Sequence, residues 1–282
     1  MSNFWKRTIF GAVYVAVLLG CVIWCKYSFL ALMLFLTGGM IGEFLHMTMG
    51  CRYKYSQALT ILAGCLFFAL VWCTRAFPVP AKLCFLAFLP ILGVMINSLY
   101  VKDKSEFGQF ANVYTSILYI AIPMSIINFL VMDSFGGYNG LMLVFFFILI
   151  WTSDIGAYLF GMALGQKYGK KLCPSISPKK SWIGFWGGFA CTIAVSVAMY
   201  LSGFWKVVGL HGMNLIHAVV LAALVDVSGV YGDLFESLWK RHCAIKDSGK
   251  LIPGHGGLLD RLDSTLFAVP VGIIYLAIFN LI

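Results

Sequence analysis

The chain has 282 residues, of which 61% are hydrophobic and only 11% are charged, and its formal net charge is +9. Soluble domains carry about 25% charged residues, so this composition excludes an ordinary soluble protein and favours one that spans a membrane. In such a chain we interpret the positive charge as a topology signal and an attraction to anionic lipid headgroups, not as a sign of nucleic-acid binding.

The apolar residues fall into long unbroken runs, and a helix needs about 20 such residues to cross a bilayer. Because lipid offers no hydrogen-bond partners, the backbone must be satisfied within helices. We therefore predict an all-α, polytopic integral membrane protein with about nine transmembrane helices. The predicted spans cover residues 8–25, 28–49, 57–73, 83–100, 112–132, 140–164, 182–204, 211–231 and 265–282.

The first span follows Lys6 and Arg7, a pattern that is also typical of a signal peptide. Because Lys26 comes directly after the apolar run and no small-residue cleavage site is present, we expect this span to be retained.

The charges between the spans predict an orientation, because loops rich in lysine and arginine stay in the cytoplasm. With a cytoplasmic N-terminus, most of the 20 lysine and arginine residues fall on the cytoplasmic side. The exceptions are Lys26, Arg75, Lys82 and Lys206. Two long polar loops, residues 165–181 and 232–264, then share the cytoplasmic face. We accordingly divide the chain into N-terminal membrane helices, residues 1–110, and a catalytic region with both loops, residues 111–282.

Three carboxylates fall inside the predicted spans: Glu43, Asp154 and Asp226. A charged side chain at mid-membrane costs about 2.5–3.5 kcal/mol on insertion scales. Each is therefore expected to face a cavity, pair with a cation or join an interhelical hydrogen bond. For Glu43 and Asp226 a structural and a functional role stay equally open. Asp154 lies near the cytoplasmic end of its span, beside the first polar loop, and we favour a role in substrate binding.

The first polar loop ends in a candidate anion site. Ser177, Lys179 and Lys180 stand just before a predicted helix. The free backbone N–H groups and the positive end of the helix dipole favour an anion there, and the two ammonium groups add charge. The alternative interpretation is a lysine cluster that contacts lipid headgroups.

The second polar loop contains the residues of a candidate metal site. Mg²⁺ prefers oxygen ligands in octahedral geometry, usually one or two carboxylates together with water and substrate phosphates. Asp260 and Asp263 are three residues apart and share one face if their segment is helical. The carboxylates available in this loop are Asp233, Asp247, Asp260 and Asp263.

Cationic and glycine residues surround these carboxylates. Lys240, Lys246 and Arg261 are suited to binding phosphates, the arginine through two parallel hydrogen bonds. Glycines on both sides of His255 let backbone N–H groups approach an anion closely. For His255 itself, phosphate binding and a structural role stay open. The loop as a whole indicates metal-assisted phosphoryl or nucleotidyl transfer at a membrane surface.

The spacing of these residues resembles the signature of the phosphatidate cytidylyltransferase family, also called CDP-diacylglycerol synthases. The matching positions are Ser237, Lys240-Arg241, Lys246-Asp247, Pro253-Gly254-His255-Gly256-Gly257 and Asp260-Arg261-Leu262-Asp263. Segments around Asp154 and Ser177–Lys180 are also similar to the family. The chain departs from its pattern at Ile183, where many members have a glutamate, and at Trp239, where an aliphatic residue is usual.

The resemblance implies transfer of a cytidylyl group from CTP to phosphatidate, giving CDP-diacylglycerol and pyrophosphate for phospholipid synthesis. It implies Mg²⁺ as the cofactor and leaves a second cation open. Asp233 and Asp260 are implied as metal ligands, with Asp247 and Asp263 as further candidates. The implied catalytic residues are Asp233, Asp260, Lys240 and Arg261. The implied substrate-binding residues are Ser177, Lys179, Lys180, Lys246, His255 and Asp154.

The partners that this resemblance implies are CTP, phosphatidate and membrane lipid, with no nucleic acid; a homodimer is left open. The implied location is a bacterial inner or plasma membrane, with the active site and the N-terminus on the cytoplasmic side.

Two other functions are compatible with a polytopic chain. A transporter or channel would use Glu43, Asp154 and Asp226 as an ion path. That function predicts acidic residues concentrated at mid-membrane, whereas five of the eleven acidic residues lie in residues 232–264. A membrane phosphotransferase that uses CDP-alcohols is the other alternative, but its Asp-Gly-x-x-Ala-Arg run is absent from the sequence.

Overall fold

The computed structural model describes residues 3–102, 104–133, 135–166, 169–249, 251 and 256–282, with side chains from residue 8 onward. Eight helical segments of this described chain are long and apolar enough to cross a membrane, and a shorter apolar helix covers Thr8–Trp24. These segments confirm the predicted all-α polytopic architecture.

Four helices form the first part of the chain: α1 (Asn3–Trp24), α2 (Lys26–Met49), α3 (Lys54–Ala76) and α4 (Phe88–Leu99). A 3-10 helix over Ala81–Ala87 leads into α4. The next span, Lys104–Val131, is continuous but not uniform, because 3-10 and π-helical turns flank its first α-helix. Its parts are a 3-10 turn (Lys104–Phe110), α5 (Ala111–Ser116), a π-helical turn (Ile117–Ala121) and α6 (Ile122–Val131).

The second part begins with α7 (Leu141–Phe160), which continues as a π-helical turn over Gly161–Gly165. A short antiparallel hairpin then pairs β1 (Lys171–Cys173) with β2 (Ser177–Ser181). The remaining helices are α8 (Trp182–Leu201), α9 (Phe204–Val208), α10 (Leu215–His242), α11 (Leu259–Leu262) and α12 (Thr265–Ile278).

Helix α10 extends further than the sequence prediction. The eighth predicted span ended at Tyr231, with a loop from Gly232 onward, but the helix continues to His242. Within this extension Ser237 contacts Asp233 and Lys240 pairs with Glu236, both at i,i+4 spacing. Such pairs stabilise a helix beyond the end of its apolar run. The polar residues after Tyr231 therefore continue the helix.

The chain divides into two compact units. One consists of Met1–Gly140 with Asp247–Arg261, and the other of Leu141–Lys246 with Leu262–Ile282. These bounds follow packing and differ from the division at residue 110, which was drawn by expected function and stays a prediction.

In the second unit, glycines bring α7 and α8 close together. A Cβ atom at Gly188 would lie 2.8 Å from the carbonyl oxygen of Ser153, and one at Gly184 would lie 2.9 Å from that of Ala157. Lipid tails are as apolar as leucine, so helices in a membrane associate through such close backbone packing. This packing sets the end of α7, which carries Asp154, beside the start of α8.

Candidate active site

The second unit contains a cavity of about 620 Å³ beside the ends of α7, α8 and α10 and the hairpin. Four of the residues predicted to act on substrate or metal line it: Asp154, Lys179, Lys180 and Asp233. Residues separated by up to about a quarter of the chain are thus brought to one place. The polar part of the lining consists of these four residues together with Gln166 and Ser181.

Apolar and aromatic residues also line the cavity, among them Tyr158, Met162, Phe185 and Val230. Tyr158 and Met162 are exposed on the surface of the unit. A cavity lined by both charged and apolar side chains suits a ligand that is itself amphiphilic.

An ion pair connects the hairpin to α10. The Lys180 ammonium lies 2.6 Å from Asp233 Oδ2, and the Ser237 hydroxyl donates to Asp233 Oδ1 at 3.3 Å. Near the same place, Arg241 Nε donates to the carbonyl oxygen of Ile176 at 3.1 Å. The first polar loop and the polar end of α10 therefore meet on one side of this unit, as a shared pocket requires.

The hairpin lysines are held by the backbone around them. Gln166 Nε2 donates to the carbonyl oxygen of Lys179 at 2.8 Å, and Lys171 donates to Gln166 Oε1 at 2.9 Å. Ser181 caps α8, since its hydroxyl accepts from Gly184 N at 3.1 Å. The two lysines thus stand just ahead of a capped helix N-terminus, where the helix dipole favours an anion. Ser177 begins β2 and is not among the residues that line the cavity.

Asp263 adds a third carboxylate to this group. It lies within electrostatic range of Asp233, Asp154 and Lys240. Gly232 permits its segment to approach α10, because a Cβ atom there would lie 2.7 Å from the carbonyl oxygen of Asp263. Neighbouring negative charges repel each other, and a nearby cation or protonation of one carboxylate relieves that repulsion.

Lys240, a predicted phosphate-binding residue, pairs with Glu236 one turn earlier on α10. Glu236 is fully buried and only 12% of the Lys240 side chain is exposed. The pair fixes where the Lys240 ammonium lies. Directly after the helix, burial raises the pKa of the Cys243 thiol, so this cysteine stays protonated at neutral pH and is not a nucleophile.

Asp260 belongs to the other compact unit, where the loop around it holds its carboxylate. Its Oδ2 atom accepts from Ser248 N at 2.9 Å, Ser248 Oγ at 3.0 Å and Gly257 N at 2.8 Å. Gly256 is required beside it, since its φ of +87° is unfavourable for residues with a side chain.

The other predicted residues of the second polar loop are exposed: Lys246, Asp247 and Arg261. These exposed side chains are accessible to a ligand, but their contacts do not define a binding site. The predicted substrate-binding residue His255 lies outside the described residues.

Asp226 has a structural role within the second unit. It is 1% exposed and its Oδ1 accepts from Ser153 at 2.6 Å and Thr192 at 3.3 Å. Residues from α7, α8 and α10 are joined in this way. Its Oδ2 atom has no hydrogen-bond partner among the described residues. Of the two roles left open by the sequence, these contacts support the interhelical hydrogen bond.

Several residues of these arrangements escaped the sequence analysis. The pairing of Glu236 with Lys240 could have been predicted from the sequence, because the two residues are four apart and such residues pair on a helix. Ser248 and the contacts of Glu43 had no such signal, since they join parts of the chain that are 205 residues apart.

No group of three or more histidine, cysteine, aspartate or glutamate side chains is arranged to hold a metal ion in the part of the chain that the structure describes. A Mg²⁺ site does not require such a group, since one or two carboxylates with water and substrate phosphates are its usual ligands. The predicted ligands are distributed between the two units: Asp233 and Asp263 in one, Asp247 and Asp260 in the other.

Comparison with known proteins gives a family and several relatives. The model of the cytidylyltransferase family matches residues 5–279. The chain is 43% identical over 129 residues to a phosphatidate cytidylyltransferase of Staphylococcus epidermidis, a match that covers 46% of each chain. It is 42% identical over 130 residues to the Staphylococcus aureus protein of that name, again over 46% of each chain.

The corresponding protein of Bacillus subtilis is 33% identical over 195 residues, which are 69% of this chain and 68% of the relative. Against the two staphylococcal relatives, the matched part spans about half of their length.

Proposed function

Because the chain belongs to the cytidylyltransferase family, we propose that this integral membrane protein transfers a cytidylyl group from CTP to phosphatidate. The products are CDP-diacylglycerol and pyrophosphate. The relatives from three bacterial species that carry the name phosphatidate cytidylyltransferase support this substrate pair.

In this reaction a phosphate oxygen of phosphatidate forms a bond to the α-phosphorus of CTP. The bond between that phosphorus and the oxygen leading to the β-phosphate breaks, and pyrophosphate leaves. The attacking phosphate is already an anion, so no strong general base is needed. The main obstacle is repulsion between two anions, which cationic groups fixed in advance can reduce.

The observation that carries the proposal is that charged and apolar side chains line the same cavity. Lys179 and Lys180 in its lining are suited to binding phosphates. Phe185 and Val230 in the same lining suit the acyl part of phosphatidate. A ligand with a phosphate headgroup and lipid tails combines both requirements.

Mg²⁺ is the proposed cofactor, and the carboxylates present fit it. They offer hard oxygen ligands, and the ion pair between Asp233 and the Lys180 ammonium supports a site for positive charge at this carboxylate. On the resemblance of the motifs, Asp233 and Asp260 are the proposed ligands, with Asp247 and Asp263 as further candidates. When bound, the ion would neutralise charge on the phosphates of the substrates.

The remaining predicted residues keep their roles within this proposal. Lys240 and Arg261 act as catalytic cations that reduce phosphate repulsion, while Asp154, Ser177, Lys246 and His255 bind substrate. We further place the active site at the cytoplasmic face of a bacterial plasma membrane, which agrees with the charge distribution of the loops.

The test uses protein purified in lipid nanodiscs, with CTP, phosphatidate and MgCl₂. Release of pyrophosphate and formation of labelled CDP-diacylglycerol from labelled CTP are followed together. We expect both products from the wild type, none after chelation with EDTA, and recovery when Mg²⁺ is restored. An Asp233→Asn variant is expected to lose about 100-fold in rate, because it removes a ligand charge.

The matched control is Asp133→Asn, whose carboxylate lies in the turn between α6 and α7 and accepts from Phe135 N and Gly137 N at 2.8 Å each. An asparagine oxygen keeps that capacity, so its rate should equal that of the wild type. Folded wild-type protein that forms neither product would refute the proposed function.

A further inference from the structure

Glu43 on α2 holds the segment that carries Asp260, and both belong to the same compact unit. Glu43 Oε1 accepts from Leu258 N at 3.0 Å, and Oε2 accepts from Leu259 N at 3.0 Å. Helix α11 begins at Leu259. The first N–H groups of a helix have no partner within the helix, and here a carboxylate from a distant helix supplies one.

The packing around Glu43 leaves no room for side chains. A Cβ atom at Gly249 or Gly257 would overlap the Glu43 carboxylate, and one at Gly39 would overlap the side chain of Leu258. Gly39 lies one helical turn before Glu43 on α2. Gly249 and Gly257 therefore let the chain approach this single carboxylate closely at both positions.

Ser248 connects Glu43 to Asp260. Its hydroxyl lies 3.3 Å from Glu43 Oε2 and 3.0 Å from Asp260 Oδ2, and its one proton can be donated to either. The backbone N–H groups of Ser248 and Gly257 both donate to Asp260 Oδ2. Ser248 and Gly257 thus hold Asp260, and Glu43 contacts the Ser248 hydroxyl and the backbone N–H groups of Leu258 and Leu259.

We propose that Glu43 is a positioning residue for cytidylyl transfer, which orients Asp260 by holding Ser248, Leu258 and Leu259 against α2. This inference rests on the proposed function, in which Asp260 is a ligand of Mg²⁺. It gives a reason for an acidic side chain within an apolar span, where a carboxylate needs compensating partners.

The test compares Glu43→Gln with the wild type in nanodiscs. The amide places one NH₂ group where the carboxylate accepts from backbone N–H groups, so at least one contact is lost. We expect the Mg²⁺ concentration at half-maximal rate to rise by about 10- to 100-fold, as for loss of a partner that orients a metal ligand. Hydrogen–deuterium exchange at Leu258 and Leu259 should become faster in the same variant.

Three further variants make the result specific. Glu43→Asp keeps the charge and should recover part of the Mg²⁺ response. Ser248→Ala removes only the bridging hydroxyl and should shift the Mg²⁺ midpoint less. This variant also tests the proposal if Glu43→Gln does not fold. Glu106→Gln, a carboxylate of the same unit that pairs with Arg52 at the surface, should behave as the wild type.

An unchanged Mg²⁺ midpoint in both Glu43→Gln and Ser248→Ala would overturn the proposal. So would loss of rate in proportion to loss of folded protein, with the midpoint unchanged. Slow exchange at Leu258 and Leu259 in folded Glu43→Gln would overturn it without any activity measurement. A wild type that releases no pyrophosphate would instead refute the proposed function, and the exchange experiment would still decide whether Glu43 holds the segment.

Discussion

Asp233 contacts both a cationic and a hydroxyl side chain at the cavity. One of its oxygens contacts the Lys180 ammonium and the other accepts from Ser237. The side chains of Lys180 and Asp233 are 26% and 30% exposed. Water therefore screens the pair, and an ion pair of this kind adds little to folding stability. We expect the pair to matter for function, because Lys180 can move from Asp233 to a substrate phosphate and leave the carboxylate for a metal ion.

We predict that Lys180→Met lowers kcat/KM for CTP by about 10- to 100-fold. A hydrogen bond to a charged group contributes about 1.5–3 kcal/mol, and about 1.4 kcal/mol corresponds to a tenfold change. The melting temperature should change little, since the pair is partly exposed. Steady-state kinetics at varied CTP and a thermal unfolding curve in detergent measure the two effects.

Lys206→Met is the matched control, because Lys206 is an exposed lysine on α9, away from the residues that line the cavity. Lys180→Arg keeps the positive charge and should retain more activity than the methionine variant. If Lys180→Met and Lys206→Met had the same kcat/KM, Lys180 would have no part in binding phosphate.

At the scale of elements, the contact between α7 and α8 determines the shape of the cavity. Gly188 faces the backbone of Ser153 and the side chain of Ala157, and Gly187 faces Phe160. These contacts occur on the stretch of α7 that also carries Asp154. A larger residue at Gly187 or Gly188 would therefore push α7 and α8 apart beside the cavity.

We predict that Gly188→Ala lowers both stability and activity. The added methyl group would lie 2.8 Å from the Ser153 carbonyl oxygen and 3.2 Å from Ala157 Cβ, and overpacking of this kind costs about 1–3 kcal/mol. Thermal unfolding in detergent and the pyrophosphate assay would report the two losses.

Gly20→Ala in α1 is the control, since nothing lies within 4 Å of a Cβ atom at that position. Alanine is the better helix former by about 0.5–1 kcal/mol, so this variant should be as stable as the wild type or more so. Equal melting temperatures for Gly188→Ala and the wild type would show that α7 and α8 are not tightly packed in the protein.

The membrane spans were predictable because apolar runs of this length seldom form anything but membrane-spanning helices. The polar end of α10 and the β-hairpin were not predicted. The polar end of α10 looked like a loop because charged residues end the apolar run there, although Glu236 and Lys240 have helical spacing. The hairpin went unrecognised because β1, at three residues, is too short to show an alternating pattern.

At the scale of the whole molecule, motif spacing predicted part of the site and tertiary contacts determined the rest. Lys180 and Asp233 were predicted to act together, and the structure brings them into contact. The support of Asp260 by Glu43 could not be predicted. It depends on contact between a carboxylate in α2 and glycines about 200 residues later in the chain. Only the folded structure shows that these residues are in contact.

The orientation in the membrane is a prediction for the molecule as a whole. The cations of the two polar segments that meet at the cavity should keep them in the cytoplasm. We predict that a cysteine introduced as Ser175→Cys, between β1 and β2, is protected from a membrane-impermeant maleimide in intact spheroplasts. A cysteine introduced as Lys206→Cys, on the other side of α8, should be labelled. Both are placed in a chain whose nine native cysteines are replaced by serine.

Disruption of the spheroplasts provides the control, because it should make Ser175→Cys react as fast as Lys206→Cys. Both positions are exposed in the structure, so a difference in labelling before disruption reports the membrane and not burial. Labelling of Ser175→Cys in intact spheroplasts, with Lys206→Cys protected, would reverse the orientation. The cavity would then open away from the cytoplasm. The positive-inside rule would not hold for this chain, and its loop lysines would serve phosphate binding without determining the orientation.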